Sequence, residues 1–280
     1  MESDQTGASW EEAVRWYRRT ASAEDVRANY FDLPVLEASR RYARSREFST
    51  VNRILAAAPG RVALDLGAGN GIASFALALH GWSVQAVEPD PSDEVGAGAI
   101  SAMARAEALD ITVHTGWGES LSLADASVAA VHARQVLHHL RDLPAGIREI
   151  ERVLVPGGMA LCTREHVSHT PRQLEQFLES HPLHHRYGGE HAYALAEYLD
   201  AATGAGLVIE RTWSQLQTPI NAHPLCEVTR QLEQLKRLGR SLRRSPSAAR
   251  SRHPLKAVTS AADAADQAPG RLYAFLLRKP

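Results

Sequence analysis

The sequence predicts an α/β fold, a doubly wound and mostly parallel sheet of seven strands with helices ahead of it in the chain. Short apolar runs alternate with stretches of helical period, the order a parallel sheet needs because each crossover must carry the chain back to the same end of the sheet. The first such run, VALDL at 62–66, flows into a glycine-rich turn that opens a helix. At 280 residues, 44% hydrophobic and 22% charged, the chain can bury one large core and still carry accessory segments.

Trp10, Ala13, Val14 and Tyr17 recur at helical spacing over 9–19, and 34–57 reads as two further helices broken near Ser45. These form a helical lid, 1–58, ahead of the main domain, 59–280. Strands follow at 62–66, 83–88, 111–114, 127–133 and 158–164, then Leu207 to Trp213, then RLYAFLLR at 271–278. A helix runs from Ile72 to His80, and another from Glu190 to Asp200 turns Leu195 and Leu199 inward. Residues 165–200 form a cap, and 215–269 an insertion whose Ser-, Arg- and Ala-rich stretch, Lys236 to Lys256, reads as a solvated helix and loop. There are no internal repeats.

A net charge of −1 argues against a nucleic-acid partner captured by electrostatics. The stretch MESDQTGASWEE has neither a basic n-region nor an apolar h-region, and no run of 18 apolar residues occurs, so neither export nor a membrane partner is expected. Two cysteines, Cys162 in a buried strand and Cys226 in a distant loop, imply no disulfide and a reducing cytoplasm.

Gly67, Gly69 and Gly71 permit a tight turn, and the helix after it points its free amides at whatever the turn holds. The spacing is GxGxG; dinucleotide sites use GxGxxG, and position 72 is Ile72. Asp65 at the mouth of the turn would repel a pyrophosphate but suits a ligand carrying an ammonium and a sulfonium. Glu88, ending the second strand, is placed to accept two ribose hydroxyls. A nicotinamide dehydrogenase stays open as an alternative, and it predicts NADH binding.

The string GWGESLSLADASVAAVHARQVLHHLRDLPAGIREIERVLVPGGMAL, 116–161, is more specific. With the glycine turn it resembles the class I S-adenosylmethionine-dependent methyltransferases of type 11, the group of the ubiquinone and menaquinone biosynthesis enzymes, over about 60–165. The resemblance implies a Rossmann-like sheet with an antiparallel last strand and S-adenosylmethionine as cofactor. It assigns that cofactor to Asp65, Gly67, Ala68, Gly69, Asn70, Gly71, Glu88, Pro89, Gly118 and Glu119. The chain departs from the pattern at Gly116-Trp117, where an acid for the adenine amino group is missing and Trp117 either stacks on adenine or enters the core. It departs again at Val128-Ala129, where Phe-Asp is usual. N-terminal helices often shape the acceptor pocket in this fold, making Tyr30, Phe31, Tyr42 and Phe48 candidates beside the plainer reading of lid-to-core packing.

Open parallel sheets place ligands at the carboxyl ends of their strands, which singles out Arg134 and Gln135, then Arg164, Glu165 and His166. Glu165 and His166 are the expected bases, with His138 in the turn after the fourth strand as a third; an ion pair to Arg164 is the alternative for Glu165. HPLHHRYGGEHAYALAEYL, 181–199, gathers histidines around Gly188-Gly189. No standard zinc spacing appears and Pro182 interrupts the helix, so no metal is firmly expected; His166, His181, His184 and Glu190 are its candidate ligands. The segment reads instead as a cap over the acceptor, lined by His185, Tyr187 and Tyr193.

The expected function is methyl transfer to an oxygen or carbon of a small molecule, and the Ala- and Arg-rich composition fits bacterial specialised metabolism. A sharper alternative is C-methylation of a prenyl diphosphate, with Arg134, Arg164 and Arg186 holding the diphosphate and Mg2+. The rival is a module that binds S-adenosylmethionine without transfer chemistry.

Overall fold

A computed structural model describes residues 8–215, 217–222 and 268–280. The N-terminal helices are α1 (Trp10–Thr20), α2 (Ala23–Ala28), α3 (Val35–Ala43) and α4 (Arg46–Leu55). Then come β1 (Val62–Leu66), α5 (Ile72–Leu79), β2 (Ser83–Glu88), α6 (Ala97–Ala106), β3 (Ile111–Thr115) and β4 (Val128–Arg134). A 3-10 turn at Leu137–His139 leads to α7 (Leu143–Val153), β5 (Leu154–Val167), α8 (Pro171–Ser180), α9 (Leu195–Gly204), β6 (Val208–Trp213), α10 (Pro219–Ala222) and β7 (Arg271–Arg278). The expected insertion at 215–269, with Lys236 to Lys256 and Cys226, lies almost wholly outside the described residues.

The seven strands form one sheet in the order β3-β2-β1-β4-β5-β7-β6, parallel except for β7, which runs antiparallel to β5 and β6. The order reverses between β1 and β4, the switch point where open sheets leave a crevice at the strand ends. Both faces are covered, so the central strands are buried nearly throughout instead of alternating, with Asp65 and His132 as polar exceptions. One face packs Leu64, Val131, Ala160 and Phe275 under α7 and α9 residues such as Ile147, Ile150 and Tyr198. The other packs Ala63, Val84, Leu161 and Ala274 against Phe75 of α5, Tyr42 of α3 and Phe48, Val51 and Leu55 of α4.

That second face corrects the pocket expectation for three aromatics. Tyr30, Tyr42 and Phe48 are buried in the core, ring on ring, so α3 and α4 are a layer of the fold and not a cover over the cleft. Burial of large rings contributes roughly 1.5–3 kcal/mol each, which outweighs exposing them to a ligand. Ser45, where the sequence breaks the two helices, caps α4 by accepting the Phe48 amide.

The cap helix is also corrected: it begins at Leu195, not Glu190, and extends to Gly204. Val167 bridges Tyr193 in parallel, and the Tyr193 hydroxyl donates to the Leu140 carbonyl, so 190–193 is held extended. Glu197 then caps the helix by accepting the Ala194 amide. No described helix is long and apolar enough to cross a membrane.

Candidate functional site

Between β1 and α5, Gly67, Gly69 and Gly71 all take positive φ, at 61°, 56° and 83°. Each glycine has its own reason. A Cβ on Gly67 would meet Val136 at 2.6 Å and one on Gly71 would meet Met103 at 2.9 Å, whereas at Gly69 it would face open space. Glu88 Oε2 accepts the Gly69 amide at 2.7 Å and Oε1 accepts the Asp90 amide at 3.0 Å. Burial pushes the Glu88 carboxyl up to about 7, against the pull of those two hydrogen bonds. Asp65 on β1 accepts the Ser74 hydroxyl at 2.6 Å and faces His132 at 3.6 Å. The Asn70 amide is fixed by the Tyr30 carbonyl at 2.9 Å.

A cavity of about 260 Å³ opens from this turn. At one end its wall is Asp65, Gly67, Ala68, Gly69 and Asn70, with Arg134 and Gln135 from the end of β4. Trp10, Tyr17 and Phe31 form an aromatic wall, and His138, His139, His166, His181 and Glu190 close the far end. Arg134 donates to Glu47 on α4 at 2.7 Å, and that carboxylate keeps the guanidinium charged despite its burial.

The histidines reach this end through the backbone. A bulge in β5 between Cys162 and Glu165 puts one extra residue against β7, with Arg164 at φ 61°. Glu165 thereby meets the 3-10 turn: its carboxylate accepts the amides of Val136 at 3.2 Å and His138 at 3.1 Å, and His138 Nδ1–H at 2.7 Å. Burial pushes Glu165 up to about 7 and drives His138 well below the usual imidazole range. His166 Nδ1 donates to the Gly270 carbonyl at 2.6 Å, and burial takes its pKa down to about 3.

Several expected site residues stand elsewhere. Glu165 is fully buried behind His138 and outside the cavity wall, so it cannot reach a proton on a cavity ligand; it pairs with His138 and not with Arg164. Arg164 is buried near Glu47 at 3.9 Å, and Arg186 lies over the Trp16 ring; neither lines the cavity. His185 donates to the Glu179 carbonyl and lines, with His184, an open groove along α8. Tyr193 is committed to Leu140, while Tyr187 approaches the cavity only through its edge contact with Trp10.

Trp117 is 60% exposed, which removes the core reading for it. Gly118 sits where a Cβ would strike Leu140 at 2.7 Å, and Glu119 Oε1 accepts the Arg141 amide at 2.8 Å, tying this loop to the turn that precedes α7. Glu88 and Pro89 stand behind the glycine turn and not on the cavity wall. The sequence places Trp10 and Tyr17 on a lid helix without naming them as wall residues, and it leaves His139 out of the site. Glu47 carried no signal at all, because an acid in a helix reads as solvated.

Residues 64–162 match a family model described as a methyltransferase domain. Over those residues, about a third of the chain, the sequence is similar to methyltransferase domains. A dimethylglycine N-methyltransferase of Parasynechococcus marenigrum is 29% identical to it over 166 residues, 55% of this chain and 54% of the relative. The chain therefore spans about half of that relative's length. Among solved structures, geranyl diphosphate C-methyltransferase from Streptomyces coelicolor superposes with TM-score 0.60 at 14% identity, covering 96% of this chain and 97% of that one. The cyclase SpnF superposes with TM-score 0.55 at 19% identity, covering 87% and 81%. At these identities the structures share the fold of the methyltransferase domain, and a cyclase among them shows that the fold alone does not dictate transfer.

Proposed function

We propose that this chain transfers the methyl group of S-adenosylmethionine to an oxygen or carbon atom of a small molecule. One observation carries the proposal: a single cavity joins the glycine turn of the methyltransferase domain to a cluster of imidazoles and a carboxylate. The turn fits the cofactor. Gly69 leaves open space where a side chain would stand, and Asp65 supplies a carboxylate for an ammonium. In this proposal Asp65 and the turn amides hold the amino-acid end, Glu88 and Pro89 support the ribose side, and Trp117, Gly118 and Glu119 border the adenine.

Bound there, S-adenosylmethionine supplies an electrophilic methyl group. The protein's part is to align the acceptor in line with it and exclude water. Trp10, Tyr17 and Phe31 offer the acceptor an apolar wall, and the ring nitrogens of His138, His139 and His166 with Glu190 offer its polar group fixed partners. The dimethylglycine relative makes nitrogen a third acceptor atom to assay, and the composition points the search to bacterial specialised metabolites.

The prenyl diphosphate reading with Mg2+ takes support from the aromatic wall and from the fold likeness to a structure holding Mg2+. Its phosphate end is weak, since Arg134 alone of the three expected arginines lines the cavity. The test is acceptor-dependent release of S-adenosylhomocysteine across fractionated metabolites, with and without a chelator. Cofactor binding by calorimetry without release from any fraction would leave a binding module.

A further inference from the structure

Glu190 is a buried carboxylate that accepts no hydrogen bond among the described residues. It is 8% exposed, lies in the cavity wall, and is faced by three imidazoles at distances too long for hydrogen bonds. His138 Nε2 stands 3.8 Å from Oε2, His139 Nε2 stands 3.9 Å from the same oxygen, and His181 Nδ1 stands 3.7 Å from Oε1. A desolvated anion in that position needs a cation or a set of donors that these nitrogens do not supply.

The tautomers are fixed by the far side of each ring. Gly189 O accepts from His139 Nδ1 at 3.0 Å, and a carbonyl can only accept, so that nitrogen carries the proton. Glu165, already an acceptor of two backbone amides, takes His138 Nδ1–H in the same way. His139 Nε2 is thus a lone pair turned toward Glu190, and His138 Nε2 is a second one with Glu165 ionised. His181 Nδ1 is buried with no hydrogen-bond partner of its own. A ligating histidine characteristically donates its other ring N–H to a carboxylate or a backbone carbonyl, which is the arrangement at His138 and His139.

We propose that His138, His139 and Glu190, with His181 as a fourth donor, form a binding site for a divalent transition metal of the zinc class at the acceptor end of the cavity. The donor atoms of His138, His139 and Glu190 lie within 4.8 Å of one another. Donors about 2.0–2.2 Å from a tetrahedral ion stand about 3.3–3.5 Å apart, so the side chains must close around it, the two nitrogen–carboxylate pairs by roughly half an ångström and the widest pair by up to about 1.5 Å. Imidazole and carboxylate donors select zinc, cobalt or nickel over magnesium, which prefers oxygen and water. If His181 remains outside the shell, a coordination position opens to the cavity and takes an oxygen or nitrogen of the acceptor. The site itself does not depend on methyl transfer; its role toward an acceptor rests on that reading.

The experiment uses the full chain, freed of metal by chelation and titrated with cobalt(II). The expected result is the intense visible ligand-field spectrum of a tetrahedral site at about one equivalent, displaced by zinc. His139→Ala, at a partly exposed ring, and the near-isosteric Glu190→Gln each weaken cobalt binding by about a hundredfold. A His184→Ala/His185→Ala variant, altered in the α8 groove, binds as the parent does. Absence of the bands, retention of parental affinity in both ligand variants, or their loss in the groove variant would each overturn the site. Calorimetry with S-adenosylmethionine on the same preparations reports separately on the donor site, so failure of the metal and failure of the transferase reading are distinguishable.

Discussion

Glu88 holds the glycine turn through Oε2, which accepts the Gly69 amide, and its own following loop through Oε1, which accepts the Asp90 amide. Its acidity sets the sign of a pH effect. Above about 7 the carboxylate accepts the Gly69 amide and fixes the turn proposed to hold the cofactor; below it a proton competes for that acceptor. Affinity for S-adenosylmethionine should fall as pH drops from 8 toward 6, with Asp65 and Asp90 adding to the shift as neighbouring acids. Glu88→Gln should bind about tenfold more weakly and lose this pH dependence. A parental pH profile in that variant would remove Glu88 from the cofactor site. Glu165, by contrast, positions His138 by accepting from it, and in the proposed transferase Glu165→Gln should lower kcat about 10- to 100-fold, leave cofactor affinity intact, and spare KM more than kcat. Equal loss of cofactor binding and turnover would mean the residue only supports the fold.

At the scale of elements, α4 does two jobs. Phe48 fills the core between α3 and α5, and Glu47 reaches across to Arg134 on β4 with Arg164 of β5 nearby. Phe48→Ala should cost about 3–5 kcal/mol in denaturant unfolding, the range for a buried ring. Glu47→Ala should cost a similar 3–5 kcal/mol, because it strands a buried guanidinium, whereas removing both charges with Arg134→Met should recover part of the loss. Failure of that recovery would mean that α4 packing, not charge, sets the cost. These residues also show where sequence legibility ends. The central strands and the glycine turn were readable because a strand buried on both faces and a turn at positive φ each demand particular residue types at local spacing. The bulge that withdraws Glu165 from the cavity was not, since it arises from the register between β5 and β7, over a hundred residues apart in sequence. EHAYALAEYL reads as one helix by propensity, but Tyr193 finds Leu140 and delays the helix by a turn, an instance of tertiary contact overriding local preference.

Across the whole molecule, the cavity is roofed by segments more than 150 residues apart in sequence that meet each other. Leu183 of the cap packs with Ala13, Tyr17 and Val26 of α1 and α2, and Trp10 meets Tyr187 edge to face at 5.5 Å. Arg15 and Arg18 of α1 bind Glu94, in the loop that follows Glu88, so the roof is hung on the same loop that holds the turn. A ligand filling the cavity therefore links lid, cap and sheet, and its binding energy should appear as global stability. At a concentration a hundred times Kd, S-adenosylhomocysteine should add about 2.7 kcal/mol, which for a chain this size raises Tm by about 5 °C. Trp10→Ala removes the ring shared by Phe31 and Tyr187, and should reduce that ligand-induced rise more than it lowers the Tm of the ligand-free protein. Thermal scans of both proteins with and without the ligand decide it: a rise undiminished in Trp10→Ala would mean that the roof bears on the acceptor alone, and no rise in either protein would sink the cofactor site itself.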